Sequence, residues 1–391
     1  MRALVLTKIF PNRAEPTSSP FNRQQFAALS RFCEVDVLAT IPWFPGARGF
    51  ARWSRAGRLG DVPSFERIDN LSVHHPRYAY VPRAGLSIAG PLYAASVATR
   101  VLPYRGQVDV LLGSWAYPDG WAAVTLARWL GVPAVVKVHG SDVNVLADDP
   151  GAERRLRWTL SHADRVVTVS RALAERVTSL GAAWTRVHVV PNGVDRGLFH
   201  PSSRRSSRER LGLGKRPAVL YVGHLLPDKG VLELVRALAG LDAELWLVGA
   251  GPAEAACRRL ARELGTCLRL FGERPHAEIP EYLAAAEVLA LPSHAEGSPN
   301  VVAEALACGR RVVATRVGGI PELVSSELLG ELVPPRDPDA LRAALRAALV
   351  RPESPRAVAR AADISSWSDS ARRLYEVLLD ATTEHREAVA A

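Results

Sequence analysis

The chain has 391 residues, more than one ordinary hydrophobic core accommodates, so two domains are expected. Its 48% hydrophobic and 23% charged residues exclude a disordered chain, and its longest uncharged stretch, 84–99, contains Pro91 and is too short to cross a bilayer. The net charge of +9 is concentrated in the first half, where residues 1–195 carry 23 basic and 15 acidic side chains, a balance that suits an anionic partner or simple solubility.

The opening stretch MRALVLTKIF carries one arginine before a brief apolar run, so it reads as a first strand (2–7) and not as a secretory signal. The cytoplasm is then the expected compartment. SPFNRQQFAALSRF (19–32) has helical periodicity, and CEVDVLAT (33–40) returns to strand. The strand VDVLLGS (108–114), the helix PDGWAAVTLARWLG (118–131) and the strand PAVVKVHG (133–140) repeat the alternation. So do the strand at 163–170, the helix at 172–181 and the strand at 187–193. Near PNGVDRGLFHPSSRRSSRERLGLGKRP the pattern lapses for about 25 residues rich in Pro, Gly, Ser and Arg, which reads as boundary and linker. Strands at 218–224, 243–251, 267–273, 287–293, 310–316 and 330–335, with a helix at 230–241, resume it. Short valine-rich runs between amphipathic helices call for parallel strands with helical crossovers. The expected fold class is α/β, two Rossmann-like doubly wound domains facing a central cleft, with ligands at the carboxyl ends of the strands. The expected divisions are 1–193, 194–366 and a C-terminal helix in 367–391.

One segment concentrates the chemistry. PSHAEGSPNVVAEALACG (292–309) places Glu296 in the loop after a strand and Glu304 two turns into the following helix. Ser298 suits an N-cap, Pro299 a first helical position and Gly309 a helix stop. The helix start from Ser298 through Pro299 and Asn300 to Val301 would aim backbone N–H groups outward, an arrangement that attracts phosphate. Two carboxylates for hydroxyl groups with an amide cradle between them match what a nucleotide sugar presents. On spacing alone, two solvated glutamates beside a capped helix remain the simpler account.

The surrounding residues favour the first account. VHVVPNGVDRGLF, LYVGHLLPDKGV, VKVHGSDVN and the long segment PSHAEGSPNVVAEALACGRRVVATRVGGIPELV together resemble glycosyltransferase family 4. These are retaining enzymes of the GT-B fold, and the likeness covers nearly the whole chain. The resemblance implies that the first domain binds acceptor, that the second binds a nucleotide-sugar donor, and that the C-terminal helix crosses back to the first. It implies that Lys229 meets the diphosphate, that Gly223 and His224 belong to the phosphate loop, and that Gly318 and Gly319 form a second close backbone approach. By the same resemblance Glu296 holds the donor sugar, Glu304 holds the ribose, and His139 lies at the reacting carbon, so His139, Lys229 and Glu296 are the expected catalytic residues. The implied reaction is retaining transfer of a sugar to a lipid-linked or polysaccharide acceptor in cell-surface glycan synthesis.

Two departures stand out. His224 occupies a position where relatives often carry arginine, leaving open whether His224 or another cation such as Arg13 or Arg316 serves the phosphate. The loop FPNRAEPTSSP after the first strand lacks the glycine pair of many relatives. No metal is expected: Asp337 to Asp339 precedes a helix and reads as its cap, and Cys33, Cys257, Cys267 and Cys308 lack ligand spacing. No cofactor beyond the donor substrate and no nucleic acid partner is expected. In the stretch 43–58, a helix from about Ala47 would align Arg48, Arg52 and Arg55 on one side and Phe50 with Trp53 on another, a pattern suited to an anionic membrane surface and to peripheral attachment at the inner face. The rival readings are an epimerase of the same fold, which would consume donor without acceptor, and a sugar-nucleotide-binding subunit of weak activity. A dinucleotide-dependent dehydrogenase is remote, because no G-x-G-x-x-G follows the first strand.

Overall fold

The computed structural model describes residues 1–50, 54–81, 86–351 and 353–391, without the side chains of Arg48, Phe50 and Ser87. They gather into two compact units, one of Met1–Gly193 with Trp367–Ala391, the other of Val194–Ser366.

The first unit is built on one eight-stranded sheet. Its strands lie in the order Val187–Val189, Arg165–Thr168, Ala134–Lys137, Val110–Ser114, Arg2–Thr7, Glu34–Ala39, Leu71–His74, Phe65–Ile68. All neighbours are parallel except the last pair, which forms a hairpin. Parallel strands need helical cover on both faces, which explains why Ala3 to Thr7 and Val110 to Ser114 are buried without alternation. Chain order reverses direction between Arg2–Thr7 and Val110–Ser114, and Thr7 Oγ1 donates to the Ser114 carbonyl across that point at 2.8 Å. A doubly wound sheet opens its ligand crevice at such a reversal.

The C-terminal helix Trp367–Ala390 completes this unit. Leu374, Val377, Leu378 and Ala381 are buried in one core with Val5, Phe26 and Val167. Arg165 pairs with Asp380 at 2.6 Å and also meets Glu384. Beneath it, Lys137 donates to Gln25, Gln25 donates to Ser370 Oγ at 2.9 Å, and Ser370 donates to the Pro191 carbonyl at 2.6 Å.

The second unit holds a six-stranded, wholly parallel sheet in the order Leu268–Gly272, Glu244–Val248, Ala218–Val222, Val288–Leu291, Arg311–Thr315, Gly330–Val333. Its reversal lies between Ala218–Val222 and Val288–Leu291. Asp337 caps the helix Pro338–Val350, accepting from the Ala340 N–H at 2.9 Å.

Two expectations need correction, and one stretch holds an element that was not foreseen. The stretch read as a linker is fastened to the second unit: Ser203 caps a helix Arg204–Arg210, and the buried Arg208 donates to the carbonyls of Gly214, Arg216 and Ala285 and to Glu287. Its Arg- and Ser-rich composition mimics a linker because those polar groups are satisfied by distant partners. A single helix from Ala47 does not form. Ala47–Phe50 is one 3-10 turn, and Ser54, extended at φ −137° and ψ 144°, caps a separate short helix Arg55–Arg58. Arg55 there pairs with Glu15 at 2.8 Å; Arg52 and Trp53, like the side chains of Arg48 and Phe50, lie outside the described residues. Stretch 84–99, noted only for its missing charges, contributes the helix Leu86–Val101, with Pro91 inside it. Among the described residues no helix is long and apolar enough to cross a membrane.

Candidate active site

In the second unit the residues singled out in the sequence converge on the reversal point of the sheet. The loop after Ala218–Val222 carries Gly223, His224 and Lys229; the loop after Val288–Leu291 carries Glu296 and Ser298. The two lie side by side because their strands are neighbours. The His294 N–H donates to the Asp228 carbonyl at 2.8 Å, stitching them together. Gly230, at φ +68°, packs so tightly that a Cβ would fall 2.1 Å from the Pro292 carbonyl oxygen.

Lys229 and Glu296 are brought into direct contact: Nζ lies 2.7 Å from Oε1, with side chains 27% and 14% exposed. A cation and a carboxylate are thus held in direct, charge-assisted contact. On the far side of Glu296 runs the loop after Arg311–Thr315. Gly318, at φ +52°, leaves room there only for hydrogen, and the Gly319 N–H donates to the Gly297 carbonyl at 2.7 Å. Thr315 Oγ1 anchors the same loop to the Ser293 carbonyl at 2.5 Å.

The helix after Glu296 starts one residue later than the sequence suggests. Pro299, extended at φ −74° and ψ 117°, is the N-cap of Asn300–Ala307, since its carbonyl is the first acceptor, taking the Val302 N–H at 3.1 Å. Ser298 is therefore a loop residue and Asn300 the first helical one. The helix start still faces the Glu296 loop, with Val301 in its first turn. Glu304 is nearly buried on this helix, where His276 Nε2 meets its Oε1 at 2.7 Å. A carboxylate only accepts, so His276 carries its proton on Nε2. Burial disfavours a charged His276, but the bond to Glu304, its charge and that of Asp195 outweigh this and hold the pKa above the ordinary histidine value.

His224 points outward: it is exposed, its carbonyl accepts from the Tyr221 hydroxyl at 2.8 Å, and its ring makes no hydrogen bond among the described residues. Arg316 is likewise exposed, just before Gly318. The sequence reading missed His276 and the turn at Gly249. The latter runs beside the loop of Gly223 and His224, with Gly223 N–H donating to the Val248 carbonyl at 3.0 Å and Leu225 N–H to the Ala250 carbonyl at 2.9 Å. The doublet of glycines in VGAG was its visible signal.

In the first unit His139 lies one strand from the reversal point and reaches Ser114 at its edge. It follows Ala134–Lys137, its Nε2 lies 3.0 Å from Ser114 Oγ, and its ring sits between Phe21 and Trp115 at centroid distances of 5.0 and 6.2 Å. Asp142 fixes the loop by accepting from the His139 and Gly140 N–H groups at 2.9 and 2.8 Å. Burial, with the charge of Lys137 beside it, holds the His139 pKa well below the ordinary value, so its ring is neutral at pH 7. Nearby Asp119 is wholly buried, accepts from Lys8 N–H and the Tyr93 hydroxyl through Oδ1, and leaves Oδ2 without a partner. Burial pushes its pKa up to about 7. Among the described residues no three His, Cys, Asp or Glu side chains are grouped to hold a metal ion.

Residues 216–351 match the family Glycosyl transferases group 1, and residues 27–198 match Glycosyltransferase Family 4. A Bacillus subtilis protein provisionally named as a teichuronic acid biosynthesis glycosyltransferase is 30% identical over 88% of this chain and 88% of its own length. A D-inositol 3-phosphate glycosyltransferase of Saccharomonospora viridis is 35% identical over 87% of this chain and 85% of its own. A GDP-mannose-dependent alpha-(1-6)-phosphatidylinositol monomannoside mannosyltransferase of Mycolicibacterium smegmatis is 35% identical over 67% of this chain and 74% of its own. Among solved structures, sucrose-phosphate synthase from Thermosynechococcus elongatus superposes with a TM-score of 0.75 at 23% identity, covering 100% of both chains. Anabaena HepE in complex with UDP and glucose gives 0.70 at 20% identity, covering 97% of this chain and 99% of that one.

Proposed function

The chain belongs to glycosyltransferase family 4 and has the GT-B fold, and from that premise we propose that it transfers a sugar, with retention at the anomeric carbon, from a nucleoside diphosphate sugar to a lipid-linked or polysaccharide acceptor in cell-surface glycan synthesis. The observation that carries this reading is the contact of Lys229 with Glu296 at the reversal point of the second unit. Support for the donor class comes from HepE, solved with UDP and glucose, and from the GDP-mannose dependence in the name of the mycobacterial relative. Support for the acceptor class comes from relatives named for teichuronic acid and phosphatidylinositol mannoside synthesis.

In this reading the unit Val194–Ser366 holds the donor and the other unit the acceptor. Breaking the glycosyl–phosphate bond leaves negative charge on the diphosphate. Lys229 and the first-turn amides of Asn300–Ala307 stabilise that charge as it grows, which lowers the barrier. At roughly 1.5–3 kcal/mol per charge-assisted contact, two such contacts give several powers of ten in rate. Before the donor arrives, Glu296 neutralises Lys229; on binding, the ammonium turns to phosphate and the carboxylate accepts from sugar hydroxyls. Glu304 accepts from the ribose. Gly223, Gly318 and Gly319 let backbone approach the donor, Ser298 lines the same loop, and His224, freely exposed, turns its ring to the phosphates.

For His139 the resemblance supports a place at the reacting carbon. Its neutral ring suits that place, because a cation there would oppose the positive charge that develops on the sugar. No metal and no further cofactor enters the scheme. Attachment to an anionic membrane belongs to the same reading, supported by the basic excess of residues 1–195; sedimentation with anionic liposomes tests it. The transfer itself is tested by incubating the protein with UDP- and GDP-sugars and isoprenoid-phosphate or glycan acceptors. Acceptor-dependent release of nucleoside diphosphate, with an α-linked product from an α-linked donor, supports it. Conversion of donor to an epimer without acceptor, or an inverted product, contradicts it.

A further inference from the structure

His276 belongs to none of the motifs that mark this site. It sits on a short turn, His276–Glu278, beyond the end of the edge strand Leu268–Gly272. Its Nε2–H donates to Glu304 Oε1 at 2.7 Å. Phe199, itself buried, packs against the ring at a centroid distance of 5.1 Å.

Glu304 is an unusual residue for its position. It lies on a helix whose neighbouring residues, Val302, Ala303, Ala305, Leu306 and Ala307, are all buried. Withdrawing a carboxylate into such a setting is costly unless its oxygens are satisfied. His276 satisfies Oε1 alone; Oε2 makes no hydrogen bond among the described residues. Oε2 is not among the buried unpartnered atoms, so it keeps some exposure and is open to a ligand. A carboxylate clamped at one oxygen is also fixed in rotation, so the direction of the other is set before any ligand arrives.

We propose that His276 is a positioning residue for the nucleoside end of the donor: by holding Glu304 Oε1 it presents Oε2 to the ribose diol, and so makes the enzyme select ribonucleoside over 2′-deoxyribonucleoside diphosphates. The proposal rests on the reading that Glu304 meets the ribose. A merely structural His276 would affect both ligands alike, whereas a positioning one acts on the hydroxyl-dependent part of binding.

The test is calorimetric titration of the whole chain with UDP and 2′-deoxy-UDP, or the guanosine pair if that binds better. His276→Phe keeps a ring against Phe199 but cannot donate, and His276→Gln retains a donor. The expected result is a preference of about tenfold or more for the ribose form in the unaltered protein. It should fall close to unity in His276→Phe and return in part in His276→Gln. If His276→Phe weakens both ligands equally and keeps the ratio, His276 serves only the fold and the proposal is overturned. Glu304→Ala separates this from failure of the underlying reading. A preference that survives Glu304→Ala removes the ribose role of Glu304 itself. One lost in Glu304→Ala but kept in His276→Phe overturns only the role of His276.

Discussion

Gly318 stands against Glu296 so closely that a Cβ built on it would lie 2.0 Å from the Glu296 carbonyl oxygen. The backbone that carries the Glu296 carboxylate therefore rests on a residue that has to be glycine, both for space and for its φ of +52°. Gly318→Ala must push the two loops apart. A displacement of about 1 Å at a reacting centre costs roughly a hundredfold in rate, and kcat/KM should fall by that order. Steady-state kinetics beside a melting curve check it, because the loop shift predicts a loss of activity larger than any loss of folded protein at the assay temperature.

Glu296→Gln should split binding from turnover. The amide keeps the capacity to bond hydroxyls but no longer neutralises Lys229, 2.7 Å away. Free nucleoside diphosphate should bind as tightly as before or more tightly. Turnover of the nucleotide sugar should fall by about ten- to a hundredfold, as expected for a charge-assisted bond of about 1.5–3 kcal/mol. Calorimetry with the diphosphate and kinetics with the sugar nucleotide read the two effects separately.

Arg208→Ala should destabilise the second unit by about 3–5 kcal/mol, the typical cost of breaking a buried ion pair. It removes donors to the carbonyls of Gly214, Arg216 and Ala285 and strips Glu287 of one of its two arginines. Denaturant unfolding followed by a probe in the second unit checks it.

Asp119 gives the first unit a predictable pH dependence. Its folded pKa, raised to about 7 by burial, exceeds its unfolded value, so the folded state binds the extra proton between about pH 4 and pH 7. Its contribution is full below the unfolded pKa and is lost as pH rises through 7. Asp119→Asn should flatten that decline in melting temperature, and an unchanged pH profile would remove the assignment.

The alternation of buried strands and helices was legible because both faces of a parallel sheet are covered, which turns strands such as Ala218–Val222 into unbroken apolar runs. Lys229, Glu296 and Gly318 were singled out by the resemblance of their motifs to the family, and they come together because their loops follow neighbouring strands. What escaped depended on partners distant in sequence. Arg208 looks like linker until Glu287, 79 positions away, is seen beside it. His276 gains its place only because strand order folds an edge loop back onto Glu304, 28 positions on. The Ser298 cap failed for a local reason: Pro299 is itself extended and its carbonyl opens the helix, which displaces the cap by one residue.

The central claim is that Lys229 and the start of Asn300–Ala307 hold the diphosphate while Glu296 holds the attached sugar. A crystal structure with bound nucleoside diphosphate sugar tests it most directly. The account predicts Lys229 Nζ turned from Glu296 to a phosphate oxygen, with Glu296 accepting from sugar hydroxyls. A donor bound elsewhere, with Lys229 still paired to Glu296, would contradict it.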